Sequence, residues 1–202
     1  MIDKALRVPK EEVLAPFASR FLRHVHPTTV TFLAFGAGVA SCVAVWEQAY
    51  GVGISLWLLN RVLDGLDGTV ARVHDKQSDF GAYLDIVLDT AIYALIPSAI
   101  VLGAPSQAGW CSLLVLLISF YVNAASWMYL AGLLEKRSLG AKSQSELTTI
   151  TMPGGLVEGA ETVLFFTLFL VFPAAHVYLF VLMAVLVLAT IAQRLIWATR
   201  HL

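Results

Sequence analysis

Residues 60–89 decide the fold, and they read NRVLDGLDGTVARVHDKQSDFGAYLDIVLD, with acidic side chains set among apolar ones. Apolar stretches continue on both sides of this segment, so several of its acids fall where a spanning helix would meet lipid. A charged side chain near the bilayer centre costs about 2.5–3.5 kcal/mol on insertion scales. Four aspartates in such a setting therefore indicate a partnered, functional site.

The composition of the whole chain is that of a membrane protein. Of its 202 residues, 58% are hydrophobic and only 13% are charged, which is too apolar for a soluble domain. A spanning helix needs roughly 20 mostly apolar residues. Six stretches qualify, at residues 29–46, 50–72, 82–102, 110–134, 155–172 and 175–197. The connections between them are short, which favours one all-α integral membrane domain of six transmembrane helices over residues 1–202. We expect its partner to be membrane lipid and not nucleic acid.

The N-terminal residues 1–26 combine basic side chains with a loosely helical apolar face. This pattern predicts an N-terminal interfacial amphipathic helix that lies on the membrane surface. A solvated basic tail is the alternative interpretation.

The basic residues are distributed asymmetrically along the chain. All 13 Lys and Arg residues lie before the first span, at the second and fourth connections, or near the end of the chain. By the positive-inside rule, both termini and the even-numbered connections are cytoplasmic, and Glu47 is the charged residue left outside. We therefore expect a multi-pass protein of the inner (cytoplasmic) membrane whose aspartate site faces the cytoplasm.

Small side chains inside the spans are expected to serve packing. Cys42 and Cys111 lack partners at disulfide or metal-ligand spacing, and we interpret both as small core residues. In the first span, small residues a helical turn apart permit close helix approach, namely Gly36, Ala37, Ala40 and Ser41.

The four aspartates are spaced so that each pair shares one helix face. Asp64 and Asp67 are three residues apart, and Asp85 and Asp89 are four apart, on the two helices of an antiparallel hairpin over residues 50–102. At about 1.5 Å per residue, the first pair lies about 9 and 5 Å below the cytoplasmic face, and the second pair about 8 and 14 Å. The spacing thus predicts that the four carboxylates converge.

Converging carboxylates repel one another unless cations join them. All-oxygen ligation favours Mg²⁺ or Mn²⁺ over Zn²⁺, which prefers His and Cys. The neighbouring Gly68, Ala71, Arg72 and Gly81 suggest a bulky anionic ligand, because small residues allow close approach and an Arg binds phosphate through forked hydrogen bonds. Metal, Arg and membrane depth together point to a lipid diphosphate.

The segment from Asp64 to Asp89 reads D-x2-D-G-x2-A-R-x8-G-x3-D-x3-D, and it resembles the signature of the CDP-alcohol phosphotransferases, or CDP-alcohol phosphatidyltransferases. All eight fixed positions match within 26 residues. The six-span layout and the interfacial helix resemble the family over nearly the whole chain. The segment from Gly154 to Thr162 resembles an uncharacterised bacterial branch of it.

The resemblance implies a division of roles among these residues. Asp64, Asp67 and Asp85 would hold two divalent ions that bind the donor diphosphate, and Asp89 would be the general base beside them and a further metal ligand. The CDP portion would be received by the small residues and the Arg of the motif, Gly68, Ala71, Arg72 and Gly81. A homodimer is also implied.

The activity that follows is transfer of a phosphatidyl group from CDP-diacylglycerol to a small alcohol, with release of CMP, in phospholipid biosynthesis. We expect direct transfer, since no Ser or Cys nucleophile adjoins the aspartates. An enzymatic alternative transfers a phospho-alcohol from a CDP-alcohol to diacylglycerol. A remote alternative is a divalent-cation transporter, which leaves Arg72 and the motif glycines unexplained.

The acceptor stays open at this point. Glu158 and Glu161, one helical turn apart, suit a hydroxylated or cationic acceptor, whereas Lys136, Arg137 and Lys142 suit an anionic one. Three further groups near the aspartates have both a structural and a functional interpretation. Asn60 and Arg61 are either packing residues or partners of phosphate and Asp64. The residues Asp75, Lys76, Ser78 and Asp79 form either a solvated turn or a gate over the nucleotide. His74 is either a solvated loop residue, which we favour, or a catalytic one.

Overall fold

The computed structural model is helical throughout the parts of the chain that it describes, residues 14–20, 22–137 and 155–202. After a helical segment at residues 14–20, six helices follow. They are α1 (Pro27–Trp46), α2 (Tyr50–Val73), α3 (Asp79–Gly103), α4 (Gln107–Lys136), α5 (Gly159–Val171) and α6 (His176–His201), with a short 3-10 turn at Pro173–Ala175 before α6. Each predicted span corresponds to one helix, with ends shifted by no more than about one helical turn.

Four of these helical stretches are long and apolar enough to cross a membrane: α1, α3, α4 and the stretch Pro173–His201 that contains α6. Helix α2 has 24 residues, but it carries the charged residues of the aspartate segment. Helix α5 has only 13 residues and rises about 20 Å, less than the roughly 30 Å of a hydrocarbon core. The chain is thus a multi-pass membrane protein, and among the described residues these four stretches have the length and composition of a membrane span.

Polar caps fix where several helices begin. The His26 side chain accepts a hydrogen bond from the Thr28 amide at the start of α1, with Pro27 at the first helical position. Ser78 and Ser106 cap α3 and α4 through their hydroxyl groups. Ser78 therefore has a local structural role, which places the aspartates of α3 at defined turns of that helix.

Helix α1 packs chiefly against α2, and small residues allow the contact. The Asn60 amide donates to the Ala34 carbonyl at 2.8 Å, and the Ser41 hydroxyl donates to the Gly53 carbonyl at 2.7 Å. A Cβ at Gly38 would come within 2.6 Å of the Ile92 side chain. Of the predicted small-residue face, Ser41 is buried in this contact, whereas Gly36 and Ala40 are exposed and Gly38 makes the close approach.

An aromatic cluster joins α2, α3 and α4 to α5. The rings of Trp57, Tyr93 and Phe120 lie 5.4, 5.3 and 6.3 Å from the ring of Phe166, which is fully buried. The Trp57 indole also donates to the Thr167 hydroxyl at 3.1 Å. Helix α5 is short, but this packing holds it in the centre of the bundle.

The N-terminal segment packs on the first two helices. Ala18 is fully buried against Val30, Leu66 and Val70. Residues 14–20 of the predicted interfacial helix are therefore helical, and they place an apolar face on protein, whereas residues 22–26 are not helical. Residues 1–13 and 21, which complete that prediction, lie outside the described residues.

Both cysteines are free thiols, and only one of them is a core residue. Cys42 is buried in the bundle, as expected, whereas Cys111 is exposed. The core interpretation of Cys111 was therefore wrong, because its position on α4 faces away from the other helices.

Candidate active site

The four aspartates lie on the facing sides of α2 and α3. Asp64 interacts electrostatically with Asp89 and Asp85, and Asp67 interacts with Asp64 and Asp89. Asp67 is buried, with 6% of its surface exposed, and the side chains of Asp64 and Asp89 are each 24% exposed. The hairpin thus brings the predicted residues into one electrostatically coupled group.

Asp67 is held by a hydroxyl group from α1. Thr31 Oγ1 donates to Asp67 Oδ2 at 2.6 Å, and it also lies 3.2 Å from the Pro27 carbonyl oxygen. Thr31 is itself buried, so this hydrogen bond forms away from water. A charge-assisted bond of this kind fixes the orientation of the carboxylate. Nothing in the one-dimensional pattern pointed to Thr31, which lies 36 residues away in the chain.

Asp89 is held by a guanidinium group from α2. Arg61 Nη2 donates to Asp89 Oδ1 at 2.7 Å, and Nη1 donates to Asp89 Oδ2 at 3.2 Å. Asp64 is farther from the same guanidinium, at 3.7 Å. The prediction that Arg61 could orient Asp64 therefore found the right residue, but Arg61 binds mainly Asp89.

Besides the two aspartates, three neighbours fix the position of Arg61, whose side chain is only 9% exposed. Its Nε donates to Asn60 Oδ1 at 2.7 Å, and its Nη1 donates to the Tyr93 hydroxyl at 3.0 Å. Its guanidinium carbon lies 4.7 Å from the centre of the Trp57 ring, within cation–π range. The Tyr93 hydroxyl in turn donates to Asp89 at 3.2 Å.

The predicted nucleotide-binding residues lie nearer the connection between α2 and α3. A Cβ at Gly68 would come 3.2 Å from Arg72 Nη1, so this glycine leaves room for the guanidinium. Arg72 Nη2 donates to the Thr69 hydroxyl at 3.4 Å, while Ala71 is partly exposed. The amide of Gly81 donates to the Ser78 hydroxyl at 3.0 Å. These residues leave partly open surface beside the aspartates.

The connection itself packs against the N-terminal segment. The Lys76 ammonium lies 3.3 Å from the Arg23 carbonyl oxygen, and His74 Nε2 lies 3.2 Å from the Ala18 carbonyl oxygen. Asp75 has a positive φ of 51°, typical of a tight turn. These contacts favour the structural interpretation of His74 and of the turn.

A cavity of about 650 Å³ adjoins the aspartates. Asp85 and Asp89 line it on the α3 side, and Asn123, Glu158 and Arg194 line it from α4, the start of α5 and α6. Much of the remaining lining is aromatic or aliphatic. The aspartate group therefore opens into a space large enough for a small molecule.

The two glutamates singled out in the sequence differ in position. Together they form a capping box at α5, in which the Glu158 amide donates to Glu161 Oε2 at 3.1 Å and the Glu158 side chain faces the Glu161 amide. Glu158 Oε1 also accepts from the Gly155 amide at 3.0 Å. Glu158 lines the cavity, and Glu161 is not among the residues that line it. One helix cap thus holds a single carboxylate at the cavity wall.

Arg194 and Asn123 are site-lining residues that the sequence analysis missed. Arg194 is 7% exposed and donates through Nη1 to Asn123 Oδ1 at 2.5 Å. The available signal was that Arg194 is a charged residue inside the predicted span 175–197, but the sequence analysis counted it with the basic residues near the end of the chain.

The candidate anion-binding residues lie elsewhere. Lys136 and Arg137 are exposed, and Arg137 donates to the Leu202 carbonyl. Lys142 lies outside the described residues.

The donor set fits a hard divalent cation, since it consists of carboxylates that are mutually coupled and partly shielded from water. Across residues 14–20, 22–137 and 155–202, no three His, Cys, Asp or Glu side chains stand close enough to form a preassembled metal site. The carboxylates instead hold hydrogen bonds from Thr31, Arg61 and Tyr93.

The fold and this site define a helical membrane protein with acidic side chains set between two of its helices, and comparison with known proteins gives its family. The family model of the CDP-alcohol phosphatidyltransferases matches residues 24–200. The chain therefore belongs to the CDP-alcohol phosphatidyltransferase family, whose members are membrane enzymes of phospholipid biosynthesis.

Two curated relatives extend along much of the chain. The inner membrane protein YnjF of Escherichia coli strain K12 is 36% identical over 154 residues, covering 74% of this chain and 71% of that protein. The phosphatidylinositol phosphate synthase of Mycobacteroides abscessus is 26% identical over 194 residues, covering 91% of this chain and 82% of that enzyme.

Solved structures share the same fold. The Mycobacterium tuberculosis phosphatidylinositol phosphate synthase with CDP-DAG bound matches with a TM-score of 0.69 and 22% identity, over 91% of this chain and 92% of that one. The same enzyme in complex with manganese and citrate matches with a TM-score of 0.64 and 22% identity, over 90% of this chain and 87% of that one.

Proposed function

We propose that this protein transfers a phosphatidyl group from CDP-diacylglycerol to a small alcohol and releases CMP, in a reaction that depends on divalent metal. The observation that carries the proposal is the set of four aspartates on the facing sides of α2 and α3, of which Asp85 and Asp89 line the 650 Å³ cavity. Family membership and the CDP-DAG bound to a solved structure of the same fold support this donor.

Asp64, Asp67 and Asp85 would hold two divalent ions, and the manganese complex of the M. tuberculosis enzyme supports Mn²⁺ beside Mg²⁺. Bound there, the ions would neutralise the donor diphosphate and stabilise the charge that develops on the departing CMP. The protein contributes a defined orientation of Asp67, through the Thr31 hydrogen bond. It also contributes a setting with little bulk water, in which charge stabilisation is strong.

In this proposal Asp89 acts as the general base. The acceptor hydroxyl gives its proton to an Asp89 oxygen, its oxygen forms a bond to the β-phosphorus, and the bond from that phosphorus to CMP breaks. Asp89 also lies beside the metal group. Arg61 and Tyr93 hold its carboxylate in one orientation. Direct transfer follows from the absence of Ser and Cys from the 26-residue signature apart from Ser78, which caps α3.

Gly68, Ala71, Arg72 and Gly81 are placed to receive the CDP portion. They lie on the side of the aspartates that leads to the α2–α3 connection, and three of them are small. A guanidinium suits phosphate because it donates two parallel hydrogen bonds. These four residues belong to the helical hairpin over residues 50–102, which is the catalytic part of a single domain over residues 1–202.

The proposal extends to the arrangement in the membrane. All six helices cross the bilayer. Helix α5 is short, and the turn that follows it completes the crossing. The N-terminal segment lies at the cytoplasmic surface. The aspartates then face the cytoplasm. Two copies of the protein associate as a homodimer. The asymmetric placement of Lys and Arg supports this orientation.

One assay tests the proposed function. Purified protein in lipid vesicles is given Mg²⁺ or Mn²⁺, CDP-diacylglycerol and a panel of alcohols, and CMP release and lipid product are measured. We expect CMP and a new phospholipid only with metal, and loss of both in Asp64→Asn. The variant Asp79→Asn, at an exposed position at the start of α3, is the matched control.

The same assay separates the competing functions. CMP release from a CDP-alcohol with diacylglycerol, but not from CDP-diacylglycerol, would establish the reversed assembly instead. Metal uptake into the vesicles without CMP release from either donor would establish a cation transporter and refute transfer.

A further inference from the structure

The wall of the cavity opposite Asp85 and Asp89 is polar, and the reaction proposed above assigns no role to its residues. Glu158, Arg194 and Asn123 form this wall, from three different helices or their caps. An acceptor hydroxyl has to reach Asp89, and the cavity borders that residue. A volume of about 650 Å³ accommodates a small alcohol beside the donor head group.

The charges on this wall balance one another. Arg194 is buried, bonded to Asn123 Oδ1, and attracted electrostatically by Glu158. Among the described residues that line the cavity, Arg194 is the single Lys or Arg. The other guanidinium nearby, that of Arg61, is engaged with Asp89. An acceptor in the cavity therefore meets the guanidinium of Arg194 together with the carboxylate of Glu158.

Glu158 is a fixed part of the wall. The Gly155 amide donates to its Oε1, and its own amide donates to Glu161 in the capping box. A carboxylate held in this way cannot swing aside to leave a bare guanidinium without breaking the cap of α5. Its negative charge is thus a constant feature of the cavity.

A phosphorylated acceptor fits these charges poorly. It would bring about two negative charges next to the carboxylate of Glu158, while Arg194, the one Lys or Arg of the described lining, already has that carboxylate as its neighbour. Like charges placed together across a binding site weaken binding. The carboxylate of Glu158 and the amide of Asn123 instead suit hydroxyl or ammonium groups, which donate hydrogen bonds.

We propose that this wall binds the acceptor and selects a small alcohol without net negative charge over its phosphorylated counterpart. The inference rests on the proposed function, because it identifies the cavity as the acceptor site of that reaction. Glu158 is the residue that sets the selection, and Arg194 and Asn123 position hydroxyl groups of the acceptor.

The test compares matched acceptor pairs, glycerol with glycerol 3-phosphate and myo-inositol with myo-inositol 1-phosphate. CMP release from CDP-diacylglycerol is measured for the wild type, Glu158→Gln and Glu161→Gln. Both Gln variants keep a hydrogen-bond acceptor in the capping box, but only Glu158 lines the cavity. We expect the wild type to favour the unphosphorylated member of a pair by at least about tenfold, or about 1.4 kcal/mol.

The variants then show whether Glu158 is responsible. Glu158→Gln should raise the relative rate with the phosphorylated member by about tenfold, while Glu161→Gln leaves the ratio unchanged. A purely structural role of Glu158 would lower both rates together. Equal ratios in the two variants, or a wild type that prefers the phosphorylated member, would overturn the inference.

A binding measurement keeps the inference distinct from the proposed function. Calorimetric titration of the same alcohols into the purified protein with Mn²⁺ needs no donor turnover. Preferential binding of the unphosphorylated alcohol without CMP release would support the inference and refute the transfer reaction. Binding of neither member of a pair would overturn the assignment of the cavity.

Discussion

Arg61 is the residue on which the orientation of Asp89 depends. Its guanidinium makes two hydrogen bonds to that carboxylate and stacks on Trp57, at 9% exposure. We expect Arg61→Ala to lower kcat at least about tenfold, because a carboxylate without its forked partner loses its fixed position. Arg61→Lys should recover part of the loss, since an ammonium restores charge but not the bidentate geometry.

Steady-state kinetics with CDP-diacylglycerol measure this effect, and melting curves in detergent separate it from unfolding. Arg200→Ala, which removes an exposed guanidinium near the end of α6, is the control. Wild-type kcat in a folded Arg61→Ala protein would show that Asp89 needs no such partner.

Thr31 provides a second test at this scale. Thr31→Val removes a buried hydrogen bond of 2.6 Å to Asp67 while keeping the shape of the side chain. We expect a loss of about 1–2 kcal/mol in stability, and an increase of about tenfold in the Mn²⁺ concentration needed for half-maximal activity. Metal titrations of CMP release and melting curves measure the two effects.

Thr31→Ser keeps the hydroxyl and is the matched variant, so it should behave like the wild type in the metal titration. If Thr31→Val and Thr31→Ser required the same Mn²⁺ concentration, the hydrogen bond would have no part in metal binding.

The sequence identified the acids and the motif residues, but not what holds them. Asp64 and Asp89 stand out because charge is costly in an apolar helix. Thr31 and Tyr93 are ordinary residues of spanning helices, and their contacts depend on how α1, α2 and α3 are rotated about their axes. Those rotations are set by side-chain packing between helices, which spacing along one helix does not contain.

The helices themselves were predictable, because the length of an apolar stretch and the caps at its ends are local features. Ser78 starts α3, and Pro173 follows the end of α5. The packing face of α1 was not predictable in the same way. Two registers of small residues exist on that helix, and only contact with the Ile92 and Asn60 side chains distinguishes Gly38 from Gly36.

This difference gives a test at the scale of the element. Gly38→Ala would place a methyl group 2.6 Å from Ile92 Cδ1 and 3.1 Å from the Asn60 amide nitrogen, so these buried side chains or α1 itself must shift. We expect it to destabilise the protein by about 1–3 kcal/mol. Thermal unfolding in detergent, followed by circular dichroism, measures the change.

Gly36→Ala is the matched control, since no atom outside the helix lies within 4 Å of its added methyl group. It should be neutral or stabilising by up to about 1 kcal/mol through helix propensity. Equal melting temperatures for the two variants would show that α1 does not pack closely through Gly38.

The assembly of the whole molecule depends on the cluster around Phe166. Its ring meets Trp57 of α2, Tyr93 of α3 and Phe120 of α4, so a short α5 joins the aspartate hairpin to the second half of the bundle. The cavity between α3 and α6 follows from this arrangement. The spacing of residues along the spans did not indicate that Glu158 and Arg194 line the same cavity as Asp89.

Orientation in the membrane is the property of the whole molecule that the charge pattern does predict. The connection between α2 and α3 adjoins Arg72 and Lys76, whereas the connections after α1 and α3 contain no Lys or Arg. The positive-inside rule then puts the α2–α3 connection in the cytoplasm and the other two outside. In a protein without Cys42 and Cys111, single cysteines introduced by Gln77→Cys and Gln48→Cys report the two sides. We expect an impermeant maleimide added to intact cells to label the cysteine at position 48 alone. The cysteine at position 77 should be labelled only after the membrane is opened. The reverse pattern would place the aspartates on the outer side, away from cytoplasmic CDP-linked donors.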